Sequence, residues 1–298
     1  MKITISGASG FIGRRLLKVL GDGGHSLHAL SRHAGTNLPT GVALSVWDPT
    51  KGPPPKASLE EADAILHLAG EPVAQRWTDE AKRRIRESRV AGTHQLVEAL
   101  AALPRTPSVL VAASATGYYG SRGDEVLDES ASPASGFLPE ICVAWEREAQ
   151  AAESLGLRVV RIRIGLVLDP RGGALQRMLP PFRLGAGGRL GSGRQWMSWI
   201  HLADLVDLFR FVIDNPVGGA VNGVAPQPVR NLDFTRHLAR AVHRPAWFPV
   251  PELALKTLFG EMGSVLLESQ RVVPRAAEAA GFRFRFPELG PALADLIG

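Results

Sequence analysis

The chain reads as an α/β fold: a doubly wound parallel sheet with helices on both faces, followed by a small α-rich appendage at the C-terminus. Three observations predict it. Strand-like and helix-like segments alternate from Met1 to about Gly165, as successive βαβ units do. The first unit carries Gly7-Ala-Ser-Gly10-Phe-Ile-Gly13 between an apolar run and a helix. Each later polar or glycine cluster falls where a strand ends, and a parallel sheet binds its ligand beyond the carboxyl ends of its strands.

Met1-Lys-Ile-Thr-Ile5 supplies the first strand. Three glycines at spacing three let the backbone turn tightly and approach a pyrophosphate with no Cβ in the way. The helix expected over about residues 12–20 would aim its amides and positive dipole end at that anion. Residues 26–30 form the second strand, and Leu30-Ser31-Arg32-His33 follows it. NAD-preferring folds place a carboxylate there for the ribose hydroxyls. A hydroxyl and a guanidinium would instead bind a 2′-phosphate. The cofactor expected is therefore NADP(H) rather than NAD(H), with Arg32 as discriminator, Ser31 beside it and Arg14 as a second cation. The plainer alternative for Arg32 is a solvated loop residue.

Further strands are expected at residues 42–47, 64–68, 108–112 and 158–162, with helices over 79–103 and 138–155. The clusters at strand ends are Asp48, His67-Leu-Ala-Gly70, Ser114–Gly120 and Arg163-Ile-Gly165. Together they describe a Rossmann-type sheet. Pro53-Pro54-Pro55 is a stiff connector. Residues 185–199 are glycine-rich and loop-like, and a helix is expected over 201–214. The domain division expected is 1–230 for the dinucleotide fold and 231–298 for the appendage. Its end, Phe282-Arg-Phe-Arg-Phe286, alternates apolar and basic residues as a small edge strand or a clamp would.

Composition narrows the function. The 298 residues are 45% hydrophobic and 21% charged, an ordinary globular balance. The net charge of +5 is spread along the chain, and aromatics are only 6% of it, so no nucleic-acid partner is expected. No apolar run is long enough to span a membrane, and no basic-then-apolar leader opens the chain. The cytoplasm is the expected compartment, with no membrane partner. The single cysteine, Cys142, excludes an internal disulfide and a Cys-based zinc site; no metal site is expected.

The chain resembles the short-chain dehydrogenase/reductase superfamily in its extended, nucleotide-sugar-epimerase-like branch. The residues that carry the likeness are Gly7–Gly13, His67-Leu-Ala-Gly70, Val90-Ala-Gly-Thr93, Ser114-Ala-Thr-Gly-Tyr-Tyr-Gly120, Arg161-Ile-Arg-Ile-Gly165 and Trp199-Ile-His-Leu-Ala-Asp204. They cover about residues 1–225. A closer likeness is to the subgroup called "epimerase family protein", through Arg76-Trp77-Thr78, Gly193-Arg-Gln-Trp-Met-Ser-Trp-Ile-His201 and Ser269-Gln-Arg-Val-Val-Pro274. The resemblance implies a nicotinamide dinucleotide held by Gly7, Ser9, Gly10, Phe11, Ile12, Gly13, Ser31, Arg32, Asp48, Leu68, Ala69, Gly70, Arg163 and Gly165. Asp48 would accept from the adenine amino group, and Gly165 would open a turn beside the nicotinamide. Extended relatives often dimerise through two long helices, so a homodimer through residues 79–103 and 138–155 is a further expectation.

The resemblance also exposes a departure. Redox members use a Ser or Thr with a Tyr and, four residues on, a Lys; the ammonium lowers the phenol pKa so that it can exchange a proton. The corresponding window, Ser135 to Glu146, holds no Tyr-x-x-x-Lys, and no lysine lies between Lys82 and Lys256. Arg89 stands where the family commonly has Asn. Ser114 is kept. The catalytic residues expected are Ser114 with Tyr118 or Tyr119, Arg89 or Arg163 supplying a positive field; Glu140 and His201 are alternative acids.

Gln195, Trp196, Trp199 and His201 are expected to line a substrate pocket, with a helix cap as the alternative for His201 and the core for both tryptophans. Two functions remain open. One is an NADP(H)-dependent oxidoreductase or epimerase acting on a small polar, sugar-like substrate; the other is a non-catalytic NADP(H)-binding sensor or interaction module.

Overall fold

β1 (Lys2–Ser6) is buried along almost its whole length, so it belongs in the middle of a sheet covered on both faces. The computed structural model, which describes residues 1–298, places it there. α1 (Phe11–Asp22), β2 (Ser26–Ser31), β3 (Ala43–Val46) and β4 (Ala64–His67) follow. Next come α2 (Asp79–Ala101), β5 (Val109–Ala115), β6 (Val126–Leu127), α3 (Phe137–Gln150) and β7 (Arg158–Ile164). α2 starts where the sequence offers a cap: the Thr78 hydroxyl accepts from Ala81 N, with Asp79 and Glu80 in the first turn.

After β8 (Leu166–Asp169) come α4 (Gly173–Arg183), β9 (Trp196–Met197), β10 (Trp199–His201), α5 (Leu202–Asp214) and β11 (Gly219–Gly223). The main sheet is all parallel, in the order β11-β7-β5-β4-β1-β2-β3. One face is covered by α1 and α5, where Leu16, Leu17, Leu20, Leu205, Phe209 and Val212 meet Ile3, Ile5, Val111 and Ile162. The other is covered by α2 and the turn after α3, through Leu96, Leu100 and Ala152 on Ile65 and Leu110. Burying each of the Leu, Ile, Val and Phe side chains contributes roughly 1.5–3 kcal/mol. β11 was not anticipated from the sequence: its Gly219-Ala-Val-Asn-Gly223 lacks an apolar run and is held as an edge strand by pairing with β7.

The C-terminal region comprises β12 (Val229–Arg230), α6 (Asn231–Ala241), α7 (Glu252–Phe259), α8 (Met262–Val265), β13 (Arg271–Val272), α9 (Arg275–Ala279) and α10 (Leu289–Ile297). It shares a core with earlier elements. Phe234 and Leu238 of α6 and Leu293 of α10 pack with Leu175, Leu179 and Phe182 of α4 and with Trp199. Phe282–Phe286 forms no strand; it is the clamp. The Asp204 carboxylate accepts from the amides of Arg285 (2.8 Å) and Phe286 (3.0 Å). Phe282 meanwhile packs edge-on against Phe211 and Phe284.

Candidate functional site

The chain runs outward from β1 to β2 and β3, then returns to the other side of β1 as β4. That reversal opens a crevice at the carboxyl ends of β1 and β4. Gly7 occupies the left-handed region, with φ +67°, and a Cβ there would lie 2.8 Å from the Leu68 carbonyl. A Cβ on Gly13 would stand 2.4 Å from the Gly7 oxygen. The turn therefore closes only with glycine at both positions. α1 begins at Gly10 with no side-chain cap and no acid in its first turn. The amides of Phe11, Ile12 and Gly13 have no intrahelical acceptor, and an anion at the helix mouth is what they lack. The cradle fits a pyrophosphate. Phe11 pins the turn from above, packed so closely on Gly172 that a Cβ there would meet its ring at 2.2 Å.

At the end of β2 the buried Ser31 hydroxyl lies 2.8 Å from Thr36 Oγ1 and 3.3 Å from Ser9 Oγ. Arg32 is half exposed, with Nη1 3.4 Å from Glu71 Oε2; Arg14 Nε donates to the Ser9 carbonyl. Asp48 folds back on its own turn, Oδ1 accepting from the Thr50 amide and hydroxyl. Burial works to raise its pKa, but those bonds and the nearby Lys51 ammonium hold the carboxyl below its ordinary value.

The wall at β4 rests on His67, which is fully buried. Ser6 Oγ accepts from the amides of Leu68 (3.1 Å) and Ala69 (3.2 Å), so its own proton goes to His67 Nδ1 at 2.7 Å. The ring must then carry its proton on Nε2, which donates to Thr93 Oγ1 at 3.0 Å. Burial, with Arg89 nearby, pushes its pKa down to about 4. A neutral imidazole thus fixes the backbone of Leu68 and Ala69 at the crevice edge.

Comparison with known proteins agrees with this architecture. Residues 3–225 match the model of the NAD dependent epimerase/dehydratase family, and residues 250–296 match a domain of unknown function, DUF1731. The chain belongs to the NAD dependent epimerase/dehydratase family. Over its full length it is 40% identical to the chloroplastic epimerase family protein SDR39U1 homolog of Arabidopsis thaliana, covering 87% of that protein. It is 36% identical to epimerase family protein YfhF of Bacillus subtilis, covering 98%. The crystal structure of human epimerase family protein SDR39U1 (isoform 2) with NADPH superposes with a TM-score of 0.89 at 33% identity, covering all of this chain and 99% of that one.

Within this epimerase-family frame the proton-relay residues are arranged differently from the sequence expectation. Ser114 Oγ donates to Glu146 Oε1 at 2.7 Å. Arg163, expected at the cofactor, is instead buried in a two-pronged ion pair with Glu146, at 2.8 and 2.9 Å. Its Nη1 also donates to the Tyr119 hydroxyl (2.9 Å), which donates onward to Asn222 Oδ1 (2.8 Å). Tyr119 is fully buried, and burial pushes its phenol up to about 12 despite the neighbouring guanidinium. The expectation of Tyr119 as a proton donor is corrected: its hydroxyl is saturated inside the protein. Tyr118 differs. It is only half-buried, its ring lies 3.5 Å from the Arg163 guanidinium, and its hydroxyl has no protein partner. Glu140, the alternative acid, is exposed and binds back to the Gly136 amide at the start of α3.

Gly165 is required by packing. A Cβ there would meet the Ser198 oxygen at 2.6 Å and Val224 at 2.7 Å. Trp199 is likewise corrected from pocket lining to core, fully buried with Nε1 bound to the Gln227 carbonyl. His201 caps α5, Nδ1 accepting from Ala203 N, and its ring stacks on Phe286 at 4.0 Å. Its Nε2 lies 3.3 Å from Asp295, within ion-pair range but misaligned for a hydrogen bond. Gln195 is buried, its amide on the Leu190 and Leu266 carbonyls. Trp196 is held between the guanidiniums of Arg230 and Arg271, each 4.5 Å from its ring, with Nε1 on Asp124. The motif also forms a seam: Ser198 and Ser269 stitch it to the C-terminal region.

Glu146 was missed by sequence reasoning. The available signal was Arg161-x-Arg163 on one interior strand, which places two cations where a counterion is required.

Proposed function

We propose that the chain is an NADP(H)-dependent oxidoreductase or epimerase of this family, acting on a small polar, sugar-like substrate. The observation that carries the cofactor preference is Ser31 with Arg32 at the end of β2, where NAD-preferring folds place a carboxylate. The NADPH in the human relative's structure supports the same reading. The cofactor, when bound, supplies hydride exchange at its nicotinamide. The glycine turn and the α1 amides hold its pyrophosphate, and Ser9, Ser31 and Arg32 hold the 2′-phosphate. Arg32 must then turn from the Glu71 carboxylate, which is itself also 3.7 Å from Arg84. Tyr118 is the residue left to move a proton, at its free phenolic oxygen, with the Arg163 guanidinium against its ring.

Titration calorimetry tests the cofactor preference. NADPH is expected to bind about 100-fold more tightly than NADH, and Arg32→Ala to weaken NADPH by about 10- to 30-fold while leaving NADH unchanged. Equal wild-type affinities would refute it. For the chemistry, NADPH oxidation is followed with a panel of small polar carbonyl compounds. Tyr118→Phe is expected to slow turnover by about 100-fold, and an unchanged rate removes Tyr118 from the mechanism.

One observation favours the second reading, a non-catalytic NADP(H)-binding sensor or interaction module. The hydroxyls of Ser114 and Tyr119 are both engaged by buried partners. Tight NADPH binding with no turnover across the panel would select it.

A further inference from the structure

Arg89 takes part in none of the chemistry above, yet it stands at the crevice. It projects from α2 onto Gly70, so closely that a Cβ on that glycine would lie 3.1 Å from both Cζ and Nη2. One edge of the guanidinium is anchored. Nη1 donates to the carbonyls of Glu71 (2.9 Å) and Ile85 (3.2 Å). Its plane lies near the Trp145 ring of α3, 5.2 Å from the centroid. The N–H groups of Nε and Nη2 have no acceptor in the protein; the Glu71 carboxylate acts on this cation through its charge but forms no salt bridge with it.

The guanidinium is only half-buried, so its free edge faces the crevice and is open to a partner that answers its charge. Burial works against its charge and shifts its pKa below the ordinary arginine value. The Cys142 thiol nearby gives no countercharge, because burial pushes it up to about 12 and keeps it protonated. With Nη1 anchored and Nε and Nη2 unengaged, this arginine can take an anion or a set of hydroxyls from outside the chain.

The sheet order says which part of a ligand arrives there. A dinucleotide whose adenosine lies at β2 and whose pyrophosphate lies at the Gly7–Gly13 turn must continue past β4 toward β5. Gly70 is at the β4 exit, and Trp145 belongs to the helix that packs over β5. We infer that Arg89 binds the nicotinamide half of the cofactor, the phosphate and ribose oxygens beyond the first phosphate, through its free Nε and Nη2 groups. It would thus supply from α2 a cation where α3, in the window Ser135 to Glu146, has no lysine. The assignment rests on the proposed NADP(H) reading.

The test compares two ligands by calorimetry: NADPH, and adenosine 2′,5′-bisphosphate, which ends before the second phosphate and ribose. Arg89→Met is expected to weaken NADPH by about 10- to 100-fold and to leave the bisphosphate within about twofold of wild type. Arg89→Lys should recover part of the loss, since it restores charge without the planar fork. If NADPH affinity is unchanged, the assignment is wrong. If both ligands weaken equally, Arg89 only supports the loop, and the assignment is equally wrong. Should Arg89→Met not fold, Arg89→Gln and Arg89→Lys are read by the same ratio. Wild-type protein that binds neither ligand overturns the NADP(H) reading itself, and this assignment with it.

Discussion

Replacing Glu146 with alanine is expected to lower the unfolding free energy by about 3–5 kcal/mol, the usual penalty for leaving one half of a buried ion pair. Glu146 and Arg163 are 5% and 4% exposed, so water cannot replace the missing carboxylate. The same carboxylate accepts from Ser114, and the same guanidinium holds Tyr119. Burial alone would favour loss of the Arg163 proton; hydrogen bonds from that guanidinium to Glu146, and the carboxylate's charge, more than offset this and raise its pKa. Arg163→Met should cost a similar amount, because it strands the Glu146 carboxylate and withdraws a donor from Tyr119. The double variant Glu146→Leu with Arg163→Met should be more stable than either single change, since an apolar pair of similar volume leaves no buried charge. Urea denaturation measures all of these. Single variants within about 1 kcal/mol of wild type would show that the network contributes little.

That network marks the boundary of what the residues announce by themselves. The glycine turn, Ser31-Arg32 and the strand-ending clusters could be located from the sequence because their signals are local. A backbone needs glycine at Gly13 whatever surrounds it, and each main-sheet strand through β7 carries its own apolar run. The partners of Ser114, Tyr119 and Arg163 lie 32, 103 and 17 residues away, and no spacing rule pairs them. The same limit explains Trp199 and His201. Aromatic and imidazole side chains near a glycine-rich loop suit a pocket and a seam equally, and only the tertiary contacts with Phe286, Asp295 and the Gln227 carbonyl distinguish them. β11 failed for another reason: five residues with two glycines and an asparagine form a strand only because β7 offers an edge to pair with.

Acidification is expected to destabilise the wild-type protein by about 2–3 kcal/mol more than His67→Gln between pH 7 and pH 4.5. The imidazole titrates near 6.5 when unfolded and near 4 when folded. Between those values the unfolded chain binds a proton that the folded chain refuses, so stability falls as the pH falls and levels out below about 4. Glutamine keeps a donor toward Thr93 and an acceptor toward Ser6 but does not titrate, so its curve should lack that contribution. His28 and His201 also have lowered pKa values; they remain in both proteins and drop out of the difference. Parallel curves of unfolding free energy against pH would refute the assignment. The same protonation reaches the cofactor site by a short route. A protonated Nδ1 would donate to Ser6 Oγ, which already accepts from the amides of Leu68 and Ala69. One of those bonds must then break, loosening the Leu68–Ala69 backbone, which lies so close to Gly7 that a Cβ there would meet it at 2.8 Å. NADPH affinity should therefore weaken over the same pH interval in the wild type, and more steeply than in His67→Gln.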